Sequence, residues 1–120
     1  MKALFDTNIL IDYLRGMPAA RTELERYDDK AISIVSWMEV LAGASPTVER
    51  GTRDFLDSFA VIELDHAVAD RAVALRRQRR VKLSDAIVWA SAQVHAMLLV
   101  TRDTRDFPQD DPGVRVPYTV

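Results

Sequence analysis

The chain has 120 residues, of which 48% are hydrophobic, and a net charge of −2. This length suits one ordinary domain with its own core, so we predict a single domain over residues 1–120. The charge balance excludes the strongly basic class of proteins that coat DNA. The sequence contains no cysteine, which excludes a disulfide framework and a thiolate metal site and suits a reducing compartment.

No segment of the sequence has the pattern of a targeting or membrane signal. Residues 1–5 are too short for the apolar part of a signal peptide, because Asp6 follows at once. The longest apolar stretch, residues 86–100, is interrupted by Gln93 and His95 and is shorter than the ~20 residues of a membrane helix. We therefore expect a cytoplasmic protein.

Apolar runs alternate with helical periodicity along almost the whole chain. In order, we predict a strand at 2–5, helices at 9–14 and 18–27, a strand at 31–35, helices at 36–41 and 47–59, a strand at 61–64, helices at 67–80 and 84–96, a strand at 98–100 and an edge strand at 114–116. Strands that alternate with helices predict an α/β domain with a mainly parallel sheet.

Acidic residues follow the predicted strands. Asp6 comes directly after the first strand, Glu39 comes four residues after the second, and Asp103 comes three residues after the strand at 98–100. Parallel strands end at the same edge of a sheet, where α/β proteins bind their ligands, so these three carboxylates should converge. Asp85 begins a predicted helix that can bring a fourth carboxylate to the same edge.

Such a cluster of carboxylates requires a counter-ion. Two carboxylates ~6 Å apart repel each other by roughly 3 kcal/mol at an effective dielectric constant near 20. Hard divalent cations remove this repulsion and prefer oxygen ligands. Because cysteine is absent and both histidines are predicted to lie away from the acids, the ligand set favours Mg²⁺ or Mn²⁺ over zinc.

Each of these acids also has a simpler explanation. Glu39 stands three residues after Ser36, which is the spacing of a helix capping box. Asp6 and Asp85 are suited to helix starts, where carboxylates stabilise the first turn. Asp103 lies in a polar segment typical of a solvated turn. The joint position of the acids at one edge, and no single residue, favours a metal site.

Four sequence blocks, taken in order, resemble the PIN domain and, more narrowly, the VapC-type toxins of bacterial and archaeal toxin–antitoxin pairs. The blocks are LFDTNILID at 4–12, SWMEVLAG at 36–43, LSDAIVWA at 83–90 and TRDTRDF at 101–107. An Asp-Thr-Asn sequence alone would be a weak signal, but the four blocks cover essentially the whole chain. The resemblance implies a PIN-like three-layer α/β/α sandwich, with a mainly parallel sheet of four or five strands, formed by residues 1–120.

The resemblance also implies a metal-dependent endoribonuclease that hydrolyses RNA with a water activated by Mg²⁺ or Mn²⁺. The implied catalytic and metal-binding residues are Asp6, Glu39, Asp85 and Asp103. Thr7 and Asp106 are expected to act around them, and relatives often have Asn at the position of Asp103. The implied partners are the RNA substrate, a cognate antitoxin and a second copy of the chain in a homodimer.

Two groups of basic residues are candidates for contact with the RNA backbone. Arg102 and Arg105 flank Asp103 and are well placed to meet a phosphate. The segment 76–82 contains four arginines and one lysine, and it fits either a phosphate-binding track or a solvated helix end.

Other classes of protein match the sequence less well. A receiver-type signalling domain would place its acceptor at Asp65 but needs a lysine beyond Lys82, and none occurs. A haloacid-dehalogenase-like phosphatase would need aspartate at the position of Asn8. The leading alternative is a non-catalytic PIN-like interaction module, and a deoxyribonuclease with the same fold also remains open.

Overall fold

A parallel sheet organises the chain. In this computed structural model, which describes residues 2–120, the strands lie in the order β3-β2-β1-β4-β5 and every neighbouring pair is parallel. Their bounds are β1 Lys2–Phe5, β2 Asp29–Ser33, β3 Ala60–Ile62, β4 Leu98–Val100 and β5 Val114–Arg115. The first strand is therefore central, and its last residue, Phe5, pairs with Val100 of β4.

Helices cover both faces of the sheet. They are α1 Thr7–Leu14, α2 Pro18–Glu25, α3 Ile34–Ala42, α4 Glu49–Asp57, α5 His66–Arg79 and α6 Leu83–Val94. The predicted α/β class with a parallel sheet is confirmed. None of the helices within residues 2–120 is long and apolar enough to cross a membrane.

The two faces of the central strand feed two separate apolar cores. Leu4 packs with residues of α5 and α6, among them Leu75 and Trp89. Ala3 and Phe5 point to the opposite side and pack with residues of α1, α2 and α4. This alternation follows from the two-residue period of a strand, and burial on both faces explains why β1 has an almost continuous apolar sequence.

The predicted start of α3 at Ser36 was wrong. The helix begins at Ile34, and Ser33 caps it by accepting a hydrogen bond of 3.1 Å from the backbone N–H of Val35. Ile34 and Val35 continue the apolar run of β2, and a short apolar run does not distinguish a strand from a buried helix. Ser36 lies inside the helix, so the capping-box explanation for Glu39 is also wrong.

Smaller differences occur at other element ends. The third strand is Ala60–Ile62 instead of 61–64, α4 is Glu49–Asp57 instead of 47–59, and β5 ends at Arg115 instead of residue 116. The carboxyl ends of β1 and β4, which carry the candidate site, lie where the sequence predicted them.

Two ion pairs with buried carboxylates, neither of them predicted, connect α1 to the loop after β4 and α2 to β5. Asp12 of α1 accepts hydrogen bonds from Arg102 Nε at 2.6 Å and from the hydroxyl of Tyr118 at 2.8 Å. Glu23 of α2 is bound in the same way by Arg115 Nε at 2.6 Å and by a tyrosine hydroxyl at 2.9 Å. Burial alone raises the pKa of both carboxyls, but these donors outweigh it and the pKa of each is lowered.

Replacing Arg115 with Met should lower the free energy of unfolding by about 3 kcal/mol, because the buried Glu23 would keep only its longer ion pair with Arg26, at 3.7 Å. Denaturant unfolding measures the change. Since the pKa of Glu23 is lowered in the folded chain, the contribution of the pair is full above the ordinary pKa of glutamate and is lost as the pH falls through the folded-state value.

The matched control for this variant is Arg21→Met, which breaks the exposed pair with Glu25 in α2. An exposed pair contributes at most about 1 kcal/mol, so this variant should unfold almost like the wild type. Equal losses in the two variants would contradict a special contribution from the buried pair.

Candidate metal centre at the carboxyl edge of the sheet

Asp6 is fixed at the point where the two central strands end. Its backbone N–H donates to the carbonyl of Val100 at 2.9 Å, which extends the pairing of β1 with β4. Its side chain is 5% exposed and caps α1 by accepting a hydrogen bond of 2.8 Å from the backbone N–H of Thr7. The other carboxylate oxygen accepts from the hydroxyl of Thr101 at 2.8 Å. Asp6 is therefore both a helix cap and a member of the acidic cluster.

Thr101 connects Asp6 to the loop that carries the last two acids. Its hydroxyl oxygen accepts a hydrogen bond of 3.0 Å from the backbone N–H of Asp103. The Oδ1 atom of Asp103 then accepts from the backbone N–H groups of Arg105 at 2.9 Å and Asp106 at 3.2 Å. This turn places Asp106 beside Asp103, so Asp103 shapes the loop as well as contributing charge.

Glu39 reaches the edge from the middle of α3. The hydroxyl of Thr7 donates to Glu39 Oε1 at 2.8 Å, and the Thr7 hydroxyl oxygen lies 2.9 Å from the hydroxyl of Ser36. Ser36 and Glu39 are three residues apart and therefore share one face of α3. This common face, and not a capping box, accounts for the Ser-x-x-Glu spacing. Thr7, which was expected to act around the acids, donates a hydrogen bond that orients Glu39.

Asp85, in the first turn of α6, contributes a further carboxylate to the cluster. One carboxylate oxygen each from Asp85, Asp103 and Asp106 lie within 4.8 Å of one another. We call these three residues the carboxylate triad. Carboxylate oxygens at this separation could serve as ligands of a hard divalent cation, which prefers oxygen donors.

The pKa values of two acids are raised. Burial, opposed by hydrogen bonds from Thr101 and Thr7 and reinforced by the charges of Asp103 and Glu39, raises the pKa of Asp6 to about 6. Burial, together with the charges of Asp6 and of the other two members of the carboxylate triad, raises the pKa of Asp85 to about 7. Without a cation, this edge therefore retains protons near neutral pH.

The structure brings the four predicted acids to the same edge, with one change in their arrangement. Asp106, predicted to act around the metal, belongs to the carboxylate triad. Asp6 and Glu39 lie outside that group of three, and their charges act on it or on each other. Their roles in binding a metal stay predictions.

The two predicted phosphate contacts differ in their surroundings. Arg102 is paired with Asp12 through two hydrogen bonds, whereas Arg105 is exposed. Sequence reasoning missed Thr101 and gave no role to Asn8, whose amide lies 3.3 Å from both Asp6 Oδ2 and Thr101 Oγ1. Both residues stand inside the sequence blocks that carry the acids, and that position was the available signal.

Comparison with known proteins agrees with this architecture. A sequence model of the PIN domain matches residues 3–110. Ribonuclease VapC10 of Mycobacterium tuberculosis is 33% identical over 125 aligned positions, which cover 98% of this chain and 93% of that protein.

Solved structures show the same similarity. A toxin–antitoxin complex from Klebsiella pneumoniae contains a chain with 45% identity and a TM-score of 0.93, covering 99% of this chain and all of that one. VapBC2 from Rickettsia felis, bound to a promoter DNA fragment, shares the fold at 20% identity and a TM-score of 0.79, with 95% of this chain and 96% of that one covered.

The strand order β3-β2-β1-β4-β5 differs from that of a receiver-type signalling domain. This chain belongs to the PIN-domain family, and within it to the VapC type.

Proposed function

We propose that the chain is a divalent-metal-dependent endoribonuclease and the toxin of a toxin–antitoxin pair. The observation that carries this proposal is the convergence of the carboxylate triad with Asp6 and Glu39 at the carboxyl edge of the sheet. The similar protein of M. tuberculosis is named a ribonuclease, and the K. pneumoniae structure is a toxin–antitoxin complex.

The acids and the two threonines of the site have different proposed roles. The carboxylate triad would hold the cation, with Asp6 and Glu39 adding negative charge and ligand oxygens close by. A bound Mg²⁺ or Mn²⁺ supplies a Lewis acid that activates water and neutralises the scissile phosphate. Thr7 fixes the direction of Glu39, and Thr101 fixes that of Asp6. No side chain needs to act as a nucleophile.

An apolar groove next to the acids supports the proposed antitoxin partner. The groove has a volume of about 430 Å³ and is lined by residues of α1, α3, α4 and the connection between α3 and α4, including Leu14, Val48 and Glu39. Val48 is 52% exposed, and the neighbouring Met38 is 51% exposed. A peptide that covers this groove would also cover Glu39. A homodimer and a cytoplasmic location remain part of the proposal.

The purified chain should cut a mixed RNA pool into discrete products with Mg²⁺ or Mn²⁺, and EDTA should stop the reaction. Asp6→Ala should lower the rate by at least about 100-fold, because it removes a buried carboxylate at the centre of the cluster. Gel electrophoresis of the products measures both effects.

Asp70→Ala is the control for this experiment, because Asp70 is an exposed acid of α5 that lies outside the cluster. It should leave the rate unchanged. If the wild type and Asp6→Ala behave alike with every metal, the nuclease proposal fails and a non-catalytic interaction module becomes the better explanation.

Mg²⁺ should raise the melting temperature more at about pH 8 than at about pH 5.5. The raised pKa values of Asp6 and Asp85 mean that the folded, metal-free chain holds protons that the unfolded chain has lost. Its stability therefore falls as the pH rises from the ordinary aspartate range towards about 7, and Mg²⁺ restores what the protons supplied. Calorimetry of the Asp6→Asn/Asp85→Asn double variant is the control. An equal Mg²⁺ effect at both pH values in the wild type would contradict this account.

Thr7→Val should reduce RNA cleavage by about 10- to 100-fold and raise the Mg²⁺ concentration needed, because Glu39 loses the donor that orients it. Thr7→Ser keeps the hydroxyl and should retain most of the activity. Melting temperatures should agree among the three proteins, since Thr7 is only half-buried. Equal activity in the Val and Ser variants would show that the hydroxyl has no part in catalysis.

A further inference from the structure

A polar cleft of about 390 Å³ opens beside the carboxylate triad. Three cationic residues line it, Lys82, Arg102 and Arg105. Asn8, Thr104 and two acids of the triad complete the lining. We call this the basic cleft. We propose that it is a phosphate subsite, which binds a backbone phosphate of single-stranded RNA next to the one that is cleaved. This inference rests on the proposed ribonuclease function and extends it.

Two of the cations in the basic cleft are available for a ligand. Lys82 comes from the residue before α6, and Arg105 comes from the loop after β4, so separate elements bring them to one cleft. Both are exposed, and no carboxylate within residues 2–120 forms a salt bridge with either side chain. The third cation that lines the cleft, Arg102, forms an ion pair with Asp12.

Arg102 gives the basic cleft a fixed positive charge. Its Nε and Nη2 atoms bind the two carboxylate oxygens of Asp12 at 2.6 and 3.2 Å. A guanidinium has five N–H donors, so this pair leaves others unused. The backbone N–H of Arg102 also lies 3.4 Å from Asn8 Oδ1, which anchors the start of the loop to α1.

The charge of the basic cleft suits a phosphate once the neighbouring acids are neutralised. Of the three cations that line the cleft, Arg102 is balanced by Asp12, and Lys82 and Arg105 are not. A divalent cation on the carboxylate triad would offset two of its three negative charges, so the two unbalanced cations would outnumber the one that remains. An RNA chain with one phosphate at the metal would then place an adjacent phosphate against the free cations, where contacts are independent of base sequence.

The arginine-rich end of α5 is a weaker candidate for the same task. Arg76 and Arg77 are exposed but do not line the basic cleft. Arg79 lies 5.4 Å from the ring centre of Trp89, where it makes a cation–π contact within the protein. At the C-terminal end of a helix, these bases also stabilise the macrodipole without any ligand.

The test uses fluorescence anisotropy of a labelled single-stranded RNA oligonucleotide over a range of salt concentrations, with Mg²⁺ present. All proteins carry Asp6→Asn, which prevents cleavage and retains an N-cap side chain for α1. Lys82→Gln/Arg105→Gln should weaken binding by about tenfold and lower the slope of log affinity against log salt by about 0.7, the value for one phosphate contact of a single strand. The matched control Arg76→Gln/Arg77→Gln removes the same charge from α5 and should bind like the parent.

Three results would overturn the subsite: no RNA binding by the parent, equal slopes in the parent and the cleft variant, or a loss confined to the α5 control. Cleavage by the chain with Asp6 intact is measured separately. Cleavage together with unchanged slopes would reject the subsite and leave the ribonuclease function standing. RNA binding that depends on the basic cleft, without cleavage under any metal, would support phosphate binding by the cleft and reject the nuclease.

Discussion

The hydrogen bond from Thr101 to the buried carboxylate of Asp6 connects the ends of the two central strands, and the acidic edge is built around it. Asp6 has three neutral donors, from Thr7, Asn8 and Thr101, and no cationic partner within residues 2–120, so no ion pair cancels its negative charge. The same threonine accepts the backbone N–H of Asp103 and so sets the start of the loop that completes the carboxylate triad. Neutral donors can thus hold a charged cluster in place without cancelling its charge.

Buried carboxylates in this chain fall into two groups with opposite behaviour. Asp12 and Glu23 each receive a bidentate arginine and a tyrosine hydroxyl, and the pKa of each is lowered. Asp6 is buried as deeply but faces other acids, and its pKa is raised to about 6. Burial is common to both groups. The direction of the pKa shift therefore depends on whether the neighbouring groups are hydrogen-bonding arginines and tyrosines or other acids. The first group fastens α1 and α2 to the half of the sheet that carries the second.

The sequence was sufficient to predict the features that depend on periodicity and chain order. It did not reveal the contacts that long side chains make between residues distant in the chain. Alternating strands and helices were sufficient for the parallel sheet, and acids after strand ends were sufficient for the edge of the site. The start of α3 was misplaced because Ile34 and Val35 are equally suited to a strand or a buried helix. The pair of Asp12 with Arg102 joins residues 90 positions apart, and no local pattern identifies such a partner. The position of Asp106 beside Asp85 likewise depends on the turn made by Asp103, which spacing alone does not specify.

The pairing of the first strand with the fourth has a consequence for synthesis of the protein. Phe5 and Val100 are partners, so Asp6 leaves the ribosome long before the strand that will position it. During translation the early segments can fold locally, but the contact between Asp6 and Thr101 must wait until β4 and Thr101 have been made. A ribosome that has not yet reached residue 101 therefore carries an incomplete carboxylate cluster. The strand order thereby delays assembly of the acidic edge until β4 has been synthesised.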